Sequence, residues 1–396
     1  MSSCIVAPEI ILPDVSVDMS AWAVIACDQH TSDAKYWDKL EGVVGNKPST
    51  LRLTLPEIYL DQPGCEDRIK KISQTMRDYK REGIFRKLPR GFILVERRTP
   101  YSPMRKGLVL SIDLEEYSYE QGARCAVRAT EETILQRIPP RLKIREQAEI
   151  EFPHIMLLYD DPQNDVLGKI KIEDLNRVYD FDLNMGGGHV TGYFVSDYRP
   201  IIERFERLKK DGVLFMVGDG NHSLATAKAS WEQIKKTLSK DEQATHPARY
   251  ALVEAVNIYD PGIRFEGIHR IIKGIDGKNF LQRFSNDGDG IGAIYYGGKA
   301  KPIALPKDVA KAVRQTDEYI AEYLVAYGGS VDYIHGEAAL LDLTLENADY
   351  VGIALPKMDK AQLFAQVLKY GSLPRKTFSM GESEEKRYYI EGKEIR

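Results

Sequence analysis

Five apolar residues, Val213–Val217, run directly into Gly218-Asp219-Gly220-Asn221-His222-Ser223 and from there into an amphipathic helix pattern. A strand that turns straight into a helix aims the helix's unpaired N–H groups, and the positive end of its dipole, at one point. An anion fits there. Gly218 and Gly220 permit a tight turn and close backbone approach, while Asp219 and His222 set a carboxylate and an imidazole at its mouth. The chemistry read from the turn is phosphate holding by Gly218, Gly220, Asn221 and Ser223 beside an acid/base pair, Asp219 and His222. The bland reading has Asp219 or Asn221 capping the helix and His222 bonded to a nearby carbonyl. Gly-x-Gly here lacks the third glycine of a dinucleotide fingerprint, and the chain holds no Walker A sequence.

Around the turn, short β-rich runs alternate with amphipathic helices, which gives an α/β fold of mixed α/β and α+β character, with mixed sheets flanked by helices. Strands are expected at Ala21–Cys27, Phe92–Glu96, Gly107–Ile112, Ile155–Tyr159, Thr191–Val195 and Val213–Val217, and helices at Asp33–Val44 and Arg68–Arg81. Leu224, Ala227, Trp231, Ile234 and Leu238 recur at helical spacing, so Asn221–Leu238 is expected to lay one apolar face on the sheet. Gly186-Gly187-Gly188 reads as a hairpin turn or as a backbone approach to a ligand. In the last third, strands are expected near Ile263–Ile272 and Tyr350–Leu355, and helices near Asp308–Tyr327 and Glu337–Glu346. A seam at Asp241–Pro247 divides residues 1–240, an N-terminal and core region carrying the turn, from 241–396, a C-terminal α/β region.

The bulk properties exclude several classes. The 396 residues, 43% hydrophobic, are ample for a buried core, and 55 basic against 59 acidic residues leave a net charge of −4. That balance disfavours a nucleic-acid partner. No run reaches the roughly 20 apolar residues of a membrane helix, and the N-terminus shows no basic-then-apolar leader, so the reading is a cytoplasmic protein without a membrane partner. Cys4, Cys27, Cys65 and Cys125 form no Cys-x-x-Cys pair, so reduced thiols and no dedicated metal site are expected. Cys27 is the thiol to watch, next to Asp28 and near His30. Glu131 and Glu132 carry only a generic surface-helix reading. Nothing specifies an oligomeric state.

The chain resembles a large bacterial and archaeal family labelled only as a domain of unknown function, whose hallmark is Asp-Gly-His-His-Arg between a strand and a helix. Supporting stretches are Ile93–Tyr117, Phe152–Pro162, Gly188–Ser196, Asp260–Arg270, Val331–Gly336 and Leu373–Phe378. The resemblance implies a ParB/sulfiredoxin-like core with a C-terminal α/β extension. In that superfamily, sulfiredoxin and an ADP-dependent free-serine kinase hold nucleotide phosphates on a turn of this kind. Asp219, Gly220 and His222 match the hallmark, Asn221 stands at its first His, and Ser223 replaces its Arg. Arg is the bidentate phosphate donor, so the site needs a cation from elsewhere. The resemblance points to two basic pairs for it, His269-Arg270 and Arg375-Lys376.

Asp28 follows the expected strand Ala21–Cys27, the place from which loops of open α/β sheets reach a ligand. Under the resemblance it is also the nearest counterpart, by position in the chain and not by a motif, of the kinase's catalytic carboxylate. Its bland alternative is a capping loop for the helix after it. The reading is a phosphotransferase, or nucleotide-hydrolysing enzyme, acting on a small hydroxyl-bearing metabolite with ATP or ADP and Mg2+. In it Asp219 or Asp28 takes the acceptor's proton and His222 stabilises developing charge. The alternatives are a ligand-binding or regulatory protein that keeps the pocket, and then a ParB-like DNA-binding or nuclease activity.

Overall fold

The computed structural model describes residues 3–60, 62–120, 122–131, 133, 138–284 and 288–396; Glu132 lies outside them. It confirms a mixed α/β fold and divides into two compact units. The first comprises Met1–Ile263 and Glu382–Arg396, and the second Arg264–Gly381. The expected seam at Asp241–Pro247 lies inside the first unit, where Ser239 caps the short helix Lys240–Thr245 with a reciprocal Glu242 bond.

The first unit is built on a ten-stranded mixed sheet among the described residues. Its order is Asn176–Leu183, Gly188–Val195, Phe92–Arg98, Arg105–Asp113, Tyr250–Asn257, Met156–Tyr159, Phe215–Asp219, Val127–Ala129, Tyr117–Ser118, with Ile5–Val6 against Arg105–Asp113. Successive strand residues point to opposite faces. Ile93, Val95, Val109 and Leu252 therefore join the core around Trp22, Trp37 and Tyr388, whereas Phe92, Leu94, Leu108 and Val253 join the core around Trp231 and Phe205 on the other face. With both faces covered, these strands are apolar at nearly every position.

The helix Asn221–Ile234 buries Leu224, Ala227 and Trp231, as its spacing requires. It stops at Ile234 and a 3-10 turn, Lys235–Thr237, follows, so Leu238 falls outside it. The run Ala21–Cys27 is only partly a strand: Asp18 caps a helical turn, Met19–Trp22, and Val24–Ile25 alone is extended. The three glycines form a hairpin, in which Leu183 registers with Gly188. A Cβ on Gly188, at φ +82°, would fall 1.9 Å from the Arg98 carbonyl, so only glycine fits.

The second unit is an antiparallel sheet ordered Lys299–Leu305, Gly290–Tyr296, Val351–Ala354, Phe265–Lys273, Ser330–His335, with Phe378–Met380 off Phe265–Lys273. Its helices Val309–Tyr327 and Glu337–Glu346 lie close to their expected bounds. No helix among the described residues is long and apolar enough to cross a membrane.

Candidate functional site

The strand Phe215–Asp219 ends on Asp219, and Gly220, at φ +79°, turns the chain into the helix Asn221–Ile234. A Cβ at 220 would be strained by that φ and would meet the Ile155 Cα at 3.0 Å. No side chain caps this helix. The Asp219 carboxylate accepts the Gly220 N–H at 2.9 Å, and the Leu224 N–H returns to the Gly220 carbonyl at 3.0 Å. The N–H groups of Asn221, His222 and Ser223 thus precede the first of the helix's own bonds. Neither Asp219 nor Asn221 serves as the cap of the bland reading.

Side chains from distant parts of the first unit gather at this turn. Asp219 Oδ2 lies 3.2 Å from Lys386 Nζ. Ser223 Oγ stands 3.5 Å from His154 Nε2, and the same nitrogen is 3.3 Å from Asp28 Oδ2. On the other side of the ring, His154 Nδ1 meets the Tyr389 hydroxyl at 3.0 Å, which also accepts the Cys27 N–H at 2.9 Å. Asp28, Asp219 and Ser223, three of the residues expected at the site, are therefore linked through His154 and Lys386, which were not.

Strand pairing explains the convergence. Met156 registers with Asp219 on the neighbouring antiparallel strand, which brings His154, two residues earlier, beside the turn. Val24 and Ile25 pair with Tyr389 and Tyr388, and the Ala26 N–H donates to the Arg387 carbonyl at 3.0 Å, so the chain after Ile25 carries Asp28 towards Lys386. The loop that bears Lys386 is gathered by buried Arg97, which donates to the carbonyls of Glu384, Glu385, Lys386 and Gly187.

These contacts set the protonation states. Burial works against the charge on Lys386, but Asp219 and Asp28 outweigh it and hold the ammonium above its ordinary range. Burial likewise opposes the imidazolium of His154, yet Asp28, and more distantly Asp219 and Glu57, raise its pKa above 6.5. Burial alone would raise the Asp28 carboxyl; His154 reverses this and holds it well below the usual carboxylate range. Burial pushes the Cys27 thiol up to about 12, which makes it inert at neutral pH. All four cysteines are free.

A pH dependence follows from the Asp28–His154 pair. The raised His154 pKa stabilises the fold fully below about 6.5, the unfolded value, and that contribution is lost as pH rises through the folded one. The depressed Asp28 pKa stabilises fully above about 4 and is lost as pH falls. A His154→Gln variant is therefore expected to lose most melting temperature, relative to the native chain, between about pH 4 and 6.5. A deficit that stays flat from acid to alkaline pH contradicts a charged imidazole.

The remaining expected residues fall in two groups. Gly218 lies in the strand, and His222 is half-buried on the first helical turn, its carbonyl accepting the Thr226 hydroxyl at 2.7 Å. Asn221 Oδ1 is buried with no hydrogen-bond partner among the described residues. His269, Arg270, Arg375 and Lys376 belong to the second unit. Arg270 is fully buried and pairs bidentately with Asp317, at 2.7 Å for both bonds, while Nη1 donates to the carbonyls of Ile268 and Lys376. Its fork, expected to replace the missing arginine, is thus occupied by a carboxylate. His269 Nδ1 accepts the Leu355 N–H at 3.1 Å, Lys376 takes a left-handed conformation at φ +57°, and Arg375 is exposed. Among the described residues, no three metal-ligating side chains stand together.

A family model described as Protein of unknown function (DUF1015) matches residues 11–390. No curated protein matches the chain. Solved structures that the chain matches include a free serine kinase in complex with ADP, at 10% identity, covering 73% of this chain and 92% of that one, with a TM-score of 0.40. C-terminally truncated SbnI from Staphylococcus aureus is 12% identical, covering 69% and 82%, with a TM-score of 0.36. A conserved hypothetical protein from Pyrococcus furiosus is 13% identical, covering 69% and 90%, with a TM-score of 0.35. Likenesses this distant transfer no residue's role to this chain.

Proposed function

The chain belongs to the DUF1015 family, and we propose that its strand-to-helix turn holds the phosphate of a nucleotide in a phosphotransferase acting on a small hydroxyl-bearing metabolite. The observation that carries this reading is an uncapped helix N-terminus with Lys386 and His154 beside it. The positive end of the helix dipole, with the Lys386 ammonium and the His154 imidazole beside it, both with raised pKa values, makes a site for a dianion. The orphaned Asn221 oxygen suits a ligand that also donates a hydrogen bond. A phosphate entering the turn competes with Asp219 for the Lys386 ammonium. Once freed, the Asp219 carboxylate can accept the proton of a substrate hydroxyl. Asp28 favours the charged form of His154, and His222, on the first turn, adds polarity at the mouth. Magnesium carried by the nucleotide would neutralise phosphate charge.

A thermal-shift panel of ADP, ATP, pyrophosphate and inorganic phosphate, with and without magnesium, tests the binding half, since a ligand of the native state raises its stability by mass action. Ser223→Arg is expected to tighten binding about ten- to a hundredfold, as a charge-assisted bond of about 1.5–3 kcal/mol would. Asp219→Ala and His222→Ala are expected to impair function without unfolding the chain. If Ser223→Arg binds none of these ligands and Asp219→Ala only lowers the melting temperature, the turn is structural.

A second reading rests on Ser223 itself. Where the hallmark carries arginine this chain carries a hydroxyl, which suits a pocket that binds a ligand without transferring its phosphate. Turnover with a panel of hydroxyl-bearing amino acids separates the two.

A further inference from the structure

Away from the turn, the first unit contains an open pocket of about 320 Å³, within the size range of small-molecule sites. Its floor is the strand Arg105–Asp113, where Ser111 faces it, and its walls are the segment after Ile5–Val6, the 3-10 turn Pro247–Arg249 and the C-terminal strand Lys393–Glu394. The geometry points to a second binding site here, for a small organic anion with a carboxylate or phosphate at one end and an apolar body.

Three observations support it. The Ser111 residue is fully buried, yet its hydroxyl has no hydrogen-bond partner among the described residues; a buried hydroxyl facing a pocket is an available donor or acceptor. Lys393, only 6% exposed, directs its ammonium to the Pro247 carbonyl at 2.8 Å and the Glu394 carbonyl at 2.9 Å. Those neutral acceptors leave its charge without a carboxylate hydrogen-bonded to it. The Arg90 side chain, on the rim, is exposed, and its charge reaches Glu9 and Tyr250 on the same pocket.

The rim's other charges cancel more nearly. Lys87 bridges Glu9 and Glu394 at 2.8 and 2.9 Å, so this trio contributes one negative charge against the two cations, Arg90 and Lys393. Val6, Ala7, Pro8 and Pro247 provide the apolar wall. An anion seated between Arg90, Lys393 and Ser111 would complete hydrogen bonding that the protein leaves open.

The Lys393 pKa agrees with this picture. Burial lowers it to about 8, with Arg145 lowering it further and Glu151 and Glu394 opposing; burial, and then Lys393, depress His246 nearby. An anion against the ammonium would raise that pKa, so binding above about pH 8 is expected to take up a proton.

Calorimetric titration with inorganic phosphate, glycerol 3-phosphate and succinate tests the site and separates phosphate from carboxylate chemistry. The expected result is saturable binding of at least one probe, weakened at least tenfold by Arg90→Glu and by Lys393→Met, and retained in Lys386→Met. Arg90→Glu changes an exposed side chain, so it keeps the test valid if Lys393→Met fails to fold. The site is overturned if no probe binds, if Arg90→Glu binds as the native chain does, or if binding disappears with Lys386→Met, which would assign it to the turn.

Discussion

Lys386→Met is expected to weaken phosphate and nucleotide binding at the turn at least tenfold while leaving a folded chain. The ammonium is 3.2 Å from Asp219, and the Asp219 and Asp28 carboxylates overcome its desolvation. Removing it takes away a charge-assisted bond of about 1.5–3 kcal/mol, which alone weakens a phosphate about ten- to a hundredfold. It also leaves Asp219 partly buried without its cation, at a cost of about 1–3 kcal/mol in stability. Asp219→Asn in the same chain removes that uncompensated charge, so the double variant is expected to regain melting temperature and still bind at least tenfold more weakly than the native chain. Calorimetry with ADP and pyrophosphate on the native, single and double variants reads both halves. Native-like affinity in Lys386→Met places the phosphate elsewhere and removes the central cation of the reading.

Lys386 also shows where the sequence stopped being legible. The strand–Gly-x-Gly–helix order is local, and one stretch of chain sufficed to place Asp219 and Gly220 at the turn, though not to decide whether a side chain capped the helix. Asp28 was reached from its position after an apolar run, although that run forms a helical turn and only a two-residue strand. The need for a cation from elsewhere follows from Ser223, but its source does not. Lys386 comes to the turn because Tyr388–Tyr389 pair with Val24–Ile25, more than 360 residues away in sequence, a fact of topology that no periodicity carries. His154 stood in the Phe152–Pro162 stretch that carried the family resemblance; its signal was a histidine just ahead of a strand that pairs with the turn. Arg270 looked like an available guanidinium because Asp317, the carboxylate that occupies it, comes from a helix 47 residues on. Arg97 and Arg105 sit among strand residues that pattern alone would assign to the core, and both donate to the Glu385 carbonyl.

The largest stability effect is expected one residue beyond Lys386. Arg387 is buried, and its guanidinium holds Glu254 at 2.8 Å, Glu391 at 2.7 Å and the Pro153 carbonyl at 2.8 Å. It thereby joins the segment carrying Lys386 and Tyr389 to the residue before His154, so one side chain fixes two walls of the site. Glu254 keeps help from Arg105 at 3.4 Å, and the Tyr179 hydroxyl donates to Glu391. Neither replaces the guanidinium. Burial already raises the Glu391 carboxyl despite Arg387, so without that charge it becomes an unpaired buried acid. Arg387→Met is expected to cost about 3–5 kcal/mol, the scale for breaking a buried ion pair by removing one partner. The sign with pH distinguishes this from lost packing. Stranded carboxylates have folded pKa values above their unfolded ones, so the folded state takes up protons as pH falls and the deficit shrinks. Melting curves of the native chain and Arg387→Met from pH 8 to 5 should therefore converge. Adding Glu391→Gln should recover part of the loss at neutral pH, since the amide removes the charge and keeps an acceptor for Tyr179. A deficit that is small, or constant across that range, would mean the carboxylates find other partners and that Arg387 does not hold the site's walls together.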